Sequence, residues 1–364
     1  MVYHSDREEE GLVASPAPSQ PHVLSSIAVV SSAASRPRLA PYVALVSVPL
    51  LWGTFTPSLK LLLDQRHAPP VILTNLVSHI IGASALALLW MCEALPRRTC
   101  VPVRDAVTDA GEARRRAALA SGELGIYLFF GQLLQLVGLT GTSATANAIL
   151  VQSSVVFVPL LEGGVPRDAT LRVQLQQMLP SLLALGGIAM ITIVPGLLAD
   201  EPSPLEEEQT LLGVACSLAA AMSYAMHTVR LSAYGEVDAT VQATGQVASN
   251  AVLDLVALLG CWVFGVGGNS RRWLRHANHA ALQRLGVAAA WNGVMIVGAT
   301  TWAMSYAQRT IRASTAALAY AMEPLFACVF AAIVLQDSIG LVQLLGGALV
   351  VSANVVAGMR QAGT

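Results

Sequence analysis

Residues 124–161 read LGIYLFFGQLLQLVGLTGTSATANAILVQSSVVFVPLL, 38 positions without one charged side chain. A helix needs about 20 apolar residues to cross a bilayer, so this run predicts two crossings. The small polar cluster Gly141-Thr-Ser-Ala-Thr145 supplies the turn between them.

The same criterion works outward. Uncharged stretches recur at 173–199, 209–229, 285–308 and 338–359. Together with shorter apolar runs they predict ten spans, at 42–63, 70–92, 124–140, 143–161, 174–198, 211–233, 243–266, 285–306, 313–335 and 339–358. Backbone polar groups in hydrocarbon are satisfied only by helices or closed barrels. The ten-residue alternation of a barrel strand is missing, so the sequence reads as an all-α integral membrane protein.

Composition agrees. Hydrophobic residues make up 54% of the 364 positions and charged residues 12%, about half the roughly 25% of soluble domains. A net charge of −1 excludes binding to nucleic acid by bulk electrostatics. Four of the five cysteines (Cys92, Cys216, Cys261, Cys328) lie in apolar runs and no C-x-x-C occurs, which argues against a disulfide framework and against a metal or redox site. No cofactor is expected.

Residues 1–38 differ from the rest. Asp6, Glu8, Glu9 and Glu10 are followed by prolines and repeated serine, the composition of a disordered tail. Arg36 and Arg38 in a Ser-rich stretch suggest a transit peptide, but the acidic start speaks against one. The membrane is thus left open between the plasma membrane and an organelle envelope such as that of a plastid. Placing both termini in the cytosol puts 15 arginines inside and five outside, the bias expected of membrane proteins. One loop resists: 267–284 carries four arginines on the outer side.

The chain also repeats itself. Ala144-Thr-Ala-Asn-Ala-Ile-Leu-Val-Gln-Ser-Ser-Val-Val-Phe157 aligns with Ala313-Ser-Thr-Ala-Ala-Leu-Ala-Tyr-Ala-Met-Glu-Pro-Leu-Phe326, and Gly186-Gly-Ile-Ala-Met-Ile191 with Gly346-Gly-Ala-Leu-Val-Val351. Each copy holds five spans, and an odd number forces the second copy to enter from the opposite face. The expected organisation is a tail (1–38), a first repeat (39–199), an acidic linker (200–210), a second, inverted repeat (211–359) and a short tail (360–364).

Leu50-Leu-Trp-Gly-Thr-Phe-Thr-Pro-Ser-Leu-Lys60 with Pro69-Pro70, and Ala316-Ala-Leu-Ala-Tyr-Ala-Met-Glu-Pro-Leu-Phe326 with Leu344-Leu-Gly-Gly347, resemble the opening and the close of EamA-type members of the drug/metabolite transporter superfamily. The resemblance covers 41–358. It implies ten helices in two inverted five-helix repeats, a central cavity and solute transport by alternating access. Two positions depart from the family pattern. Thr74-Asn75 stands where many members carry an arginine, and Ser154 stands where the second repeat has Glu323.

Charges inside a membrane span are costly, about 2.5–3.5 kcal/mol at its centre on insertion scales, and mark functional candidates. Lys60, the only lysine, lies near the end of the first span after Pro49, Gly53 and Pro57; its alternative role is to snorkel to the interface. Glu323 lies about ten residues into the ninth span, before Pro324, which disfavours α geometry at Glu323. Such a carboxylate can titrate, pair with a cation or hold a bent helix. Asn250 and Asp254 share a face of the seventh span, with Gln246 and Gly245 extending the stripe. Asn75 and His79 are their counterparts in the first repeat. Polar glue between helices is the competing explanation. Trp52, Gln152 and Tyr320 complete the candidate set, with Gln132, Tyr224, His227, Asn292 and Trp302 behind them. Trp90, Trp262 and Trp273 read as interfacial anchors.

No H-E-x-x-H, G-x-S-x-G or Walker motif is present, so an enzyme or an ATP-driven pump is not expected. The expected activity is facilitated or ion-coupled movement of a small organic solute, with the proton as a candidate coupling ion and a homodimer as a candidate assembly. A non-transporting receptor or scaffold is the alternative. One or two acids among carboxamides and aromatics suit an amino acid or related amine better than a multiply anionic sugar phosphate.

Overall fold

A computed structural model describes residues 39–55, 69–97, 106–142, 144–163, 171–194, 210–265, 269–334 and 340–362. Lys60, Pro57 and the tail 1–38 lie outside these residues, as does the linker 200–210 except for Thr210. Among the described residues the chain is helical throughout, with no strand.

The helices run α1 Leu39–Gly53, α2 Val71–Arg97, α3 Ala106–Thr140, α4 Ala144–Gln152, α5 Ser154–Leu161, α6 Leu171–Thr192, α7 Leu211–Ala233, α8 Ala239–Val263, α9 Asn269–His276 and α10 His279–Trp291. A π-helical segment, Asn292–Ala299, leads into α11 Thr300–Ala307, then α12 Ala313–Tyr320, α13 Glu323–Val334 and α14 Leu341–Ala362. Six stretches are long and apolar enough to cross a membrane: Ile72–Glu93, Gly111–Thr140, Leu211–Ala233, Ala239–Val263, His279–Ala307 and Ala313–Phe330. Leu39–Gly53, Ala146–Leu161, Met178–Thr192 and Leu341–Ala357 are shorter apolar helices.

Several elements depart from the sequence reading. The third helix begins at Ala106 rather than 124, because Ala, Glu and Arg favour helix strongly enough to extend it beyond the apolar core. The fourth and ninth spans are each divided in two. The arginine-rich stretch 267–284 contains α9 and the start of α10.

The surface exposes large apolar side chains, and the apolar interior also holds a set of polar ones. Val252, Val256, Leu88, Ile333 and Leu344 are exposed, whereas Gln242, Gln246, Asn250, His227 and Ser217 are buried. That is the distribution of a bundle solvated by lipid. Small residues let the helices approach closely. A Cβ on Gly187 would lie 2.5 Å from the Gly346 carbonyl oxygen, and one on Gly346 2.6 Å from the Gly187 oxygen, so α6 and α14 cross backbone to backbone. Gly82 and Gly293 do the same for α2 and the π segment, at 2.6 and 2.5 Å from Gly293 and Ser78 oxygens. Helix starts are capped by side chains. Thr210 Oγ1 accepts from Gly213 N–H at 3.0 Å, Asp238 from Thr240 and Val241 N–H, and Asn278 from Ala281 N–H.

Candidate functional site

Two interrupted helices face one another. The helix between α4 and α5 breaks at Ser153, whose hydroxyl donates to the Leu150 carbonyl at 2.5 Å, giving the backbone a local alternative to the helical bond. The helix between α12 and α13 breaks at Ala321–Met322. A proline cannot donate to the carbonyl four residues back and crowds it; for Pro324 that residue is Tyr320, the last of α12. The break therefore precedes Glu323. Glu323 is itself helical, the first residue of α13, which corrects the expectation that Pro324 would push it out of α geometry.

Across the two breaks, Gln152 Nε2 lies 3.5 Å from Glu323 Oε2, the long limit of a hydrogen bond. Tyr224 on α7 donates its hydroxyl to Gln135 Oε1 at 2.9 Å. One turn before Glu323, Tyr320 packs its ring against Trp52 of α1, with centroids 5.4 Å apart. Its hydroxyl accepts from Gln308 Nε2 at 2.8 Å, and Gln308 Oε1 accepts from Ser232 at 2.8 Å. Trp52 Nε1 donates to Thr300 Oγ1 at 3.3 Å. Trp52, Gln152, Tyr320 and Glu323 thus line one continuous region.

A second polar cluster sits where α2 crosses α8. His79 Nδ1 lies 2.7 Å from Asp254 Oδ2, and Asn250 Nδ2 lies 3.3 Å from His79 Nε2. All three are buried. One neutral tautomer satisfies both contacts, with Nδ1–H donating to the carboxylate and Nε2 accepting from the amide. Asn75, one turn away, is half-buried, and no hydrogen bond among the described residues reaches it.

The α8 stripe extends further than the sequence reading took it. Gln242, Gln246, Asn250 and Asp254, four residues apart, are all buried, a polar ladder about 18 Å long at 1.5 Å per residue. Gln246 accepts from His227 Nε2 at 2.9 Å and donates to Ser305 at 3.1 Å. Among the described residues, fully buried Gln242 has no partner at either amide atom, and the Asn250, Asn292 and Gln132 side-chain oxygens are likewise unpaired. Buried polar groups of this kind ordinarily hold water or a ligand. Gln242 was findable from the four-residue spacing alone. Gln308 and Ser305 carry no such signal, because their role depends on which helices meet.

Near the end of α7, Arg230 forms a forked pair with Glu123 in the middle of α3. Tyr234 donates to Glu123 as well, which holds its phenol above the ordinary range.

Residues 211–359 match the EamA-like transporter family, part of the drug/metabolite transporter superfamily. That match covers less than half of the chain, and the apolar helices mark a multi-pass membrane protein. No curated protein sequence matches the chain. Among solved structures 25 chains match. One, described only as a crystal structure of a protein, aligns over 88% of this chain and 97% of its own with a TM-score of 0.61 and 17% identity. At that identity the likeness concerns the fold alone.

Proposed function

We propose that this protein transports a small organic metabolite by alternating access between two inverted five-helix halves, 39–199 and 211–359, with both termini cytosolic. The observation that carries the reading is the facing pair of interrupted helices, with Gln152 and Glu323 across the breaks. Transporters build solute sites from half-helix termini where inverted repeats meet.

Matched packing supports the inversion. Number ten crossings in chain order from α1 to α14, leaving out the short α9 and counting α4–α5, α10–α11 and α12–α13 each as one. The contacts of crossing 3 with 6, 2 with 8, 4 with 6 and 4 with 5 then recur as 8 with 1, 7 with 3, 9 with 1 and 9 with 10. Crossings 2 and 7, 4 and 9, and 5 and 10 pair with their own counterparts.

Glu323 is the acid of the solute site, with Gln152, Trp52 and Tyr320 around it. The substrate class this suits is an amino acid or related amine, whose ammonium pairs with Glu323, or a neutral solute moved with a proton that Glu323 carries. His79, Asn250 and Asp254 form a supporting polar cluster, with Asn75 near it and Lys60 toward the end of the first span.

The test begins with a thermal-shift screen of metabolites on the purified protein, since binding to the folded state raises apparent stability. Uptake of each hit into proteoliposomes separates a transporter from a scaffold. Glu323→Gln keeps shape and removes charge. In the proton case it abolishes uptake driven by a pH gradient while exchange persists; in the ammonium case affinity collapses. Normal affinity and normal pH dependence in Glu323→Gln would overturn the assignment and move the site to Asp254.

A further inference from the structure

The eight residues of α9 read Asn-Ser-Arg-Arg-Trp-Leu-Arg-His, between the end of α8 and the start of α10. Arg271, Arg272, Arg275 and His276 are exposed, while Trp273 packs with Trp262 against buried Leu73, Leu76, Leu258 and Leu285. The helix is therefore pinned by one apolar side chain to the ends of α2, α8 and α10 and turns its basic side outward. The Arg271 guanidinium lies 5.2 Å from the centre of the Trp262 ring, a cation–π contact that holds it in place. Beside it, the last residues of α8 leave Val263 and Phe264 78% and 82% exposed. Apolar tips flanking a basic helix place this corner at the level where acyl chains give way to headgroups.

Among the described residues no acid offsets the charge there. No aspartate or glutamate occurs between 255 and 322, and among the described residues none of Arg271, Arg272, Arg275 or Arg284 takes part in an ion pair. A short helix with arginines on one side and Trp and Leu on the other is the form that lies in a membrane interface, and clustered arginines there recognise anionic headgroups.

We infer that α9 is a binding site for the headgroup of an anionic phospholipid, held by Arg271, Arg272 and Arg275. This also accounts for the one loop whose arginines defy the inside bias. They are retained on that side because a lipid phosphate neutralises them.

The test uses the full-length protein in nanodiscs of phosphatidylcholine with a quarter phosphatidylglycerol, released into native mass spectrometry. The wild type should keep phosphatidylglycerol under activation that strips phosphatidylcholine. Arg272→Gln with Arg275→Gln, which leaves the Arg271–Trp262 contact intact, should lower that retention roughly tenfold or more, at about fivefold per arginine near an anionic surface. Arg114→Gln with Arg115→Gln, exposed arginines on α3, should leave it unchanged. The single variant Arg272→Gln, at an exposed side chain, should show an intermediate loss and guards against misfolding of the double variant. Equal retention of the two lipids, or undiminished retention in the double variant, overturns the site. So does retention that appears only after Glu201, Glu206, Glu207 and Glu208 are changed to Gln, which would mean the arginines face the chain's own acidic segment.

Discussion

Glu123 and Arg230 meet as a two-pronged ion pair, Nε to Oε1 at 2.5 Å and Nη2 to Oε2 at 2.9 Å, that joins the first part of the chain to the second. It has company. Arg116 Nη1 meets Glu236 Oε2 at 2.7 Å, and Arg312 Nε meets Glu162 Oε1 at 3.4 Å. All three pairs lie where α5 and α7 finish and α12 begins, with Arg116 and Glu123 well inside α3. On the opposite end the Thr210 N–H and hydroxyl both donate to the Gly141 oxygen, at 2.8 and 3.2 Å. The ion pairs fasten the two parts of the chain together there as a latch.

The latch is partly exposed, with Arg230 at 38% and Glu123 at 28% side-chain accessibility, so water and salt screen it. A double-mutant cycle on Glu123→Gln and Arg230→Gln should give a coupling of about 1 kcal/mol. Most of it should vanish in molar salt. A coupling that ignores salt would mean the pair serves packing rather than closure.

The crossing of α6 and α14 separates two adjacent glycines. Gly187→Ala drives a methyl to 2.5 Å from the Gly346 oxygen, whereas nothing lies within 4 Å of a Cβ at Gly186. Overpacking costs about 1–3 kcal/mol, so Gly187→Ala should lower the midpoint of detergent unfolding. Gly186→Ala should hold or raise it, since alanine is the better helix former. Equal effects would refute this crossing geometry.

Those two glycines also show where the sequence stops being legible. The repeat alignment paired Gly186 with Gly346, but the reciprocal contact pairs Gly187 with Gly346. Aligned letters do not carry the rotation of one helix against another. The apolar runs were readable because a single charge in hydrocarbon is costly, which leaves a mark in composition. The two polar stripes, Asn75 with His79 and Asn250 with Asp254, were readable because the four-residue period survives in sequence, but the direct His79–Asp254 contact was not. The π segment at Asn292–Ala299 and the break at Ser153 left no such mark. Both depend on which backbone carbonyl finds which partner. The basic helix α9 read as a loop because three arginines outweigh a single Trp–Leu pair over eight residues.

The buried pair His79–Asp254 makes an ordered prediction. His79→Ala leaves a buried carboxylate without its donor, at a cost of about 3–5 kcal/mol. Asp254→Asn keeps an acceptor oxygen facing Nδ1 and should cost only about 1 kcal/mol, near the upper range for hydrogen bonds between membrane helices. Unfolding midpoints of the two variants in one detergent check the order. If Asp254→Asn proves the worse of the two, the carboxylate is held by something other than His79.

The last prediction concerns the break before Glu323. Pro324 withholds the N–H that would bond the Tyr320 carbonyl, and Met322 turns instead to Ala319 at 3.1 Å. Pro324→Ala restores a donor and removes the ring from that carbonyl, so α12 and α13 can join. An interior proline costs about 3 kcal/mol, and part of that, about 1–2 kcal/mol, should return as a higher unfolding midpoint. Joining the helices also turns Glu323 about the helix axis away from Gln152, whose 3.5 Å contact has no slack to follow. Stability should therefore rise while uptake of the solute found by thermal-shift screening falls. A variant that gains stability and transports normally would show that the break serves packing, and that Glu323 does its work without it.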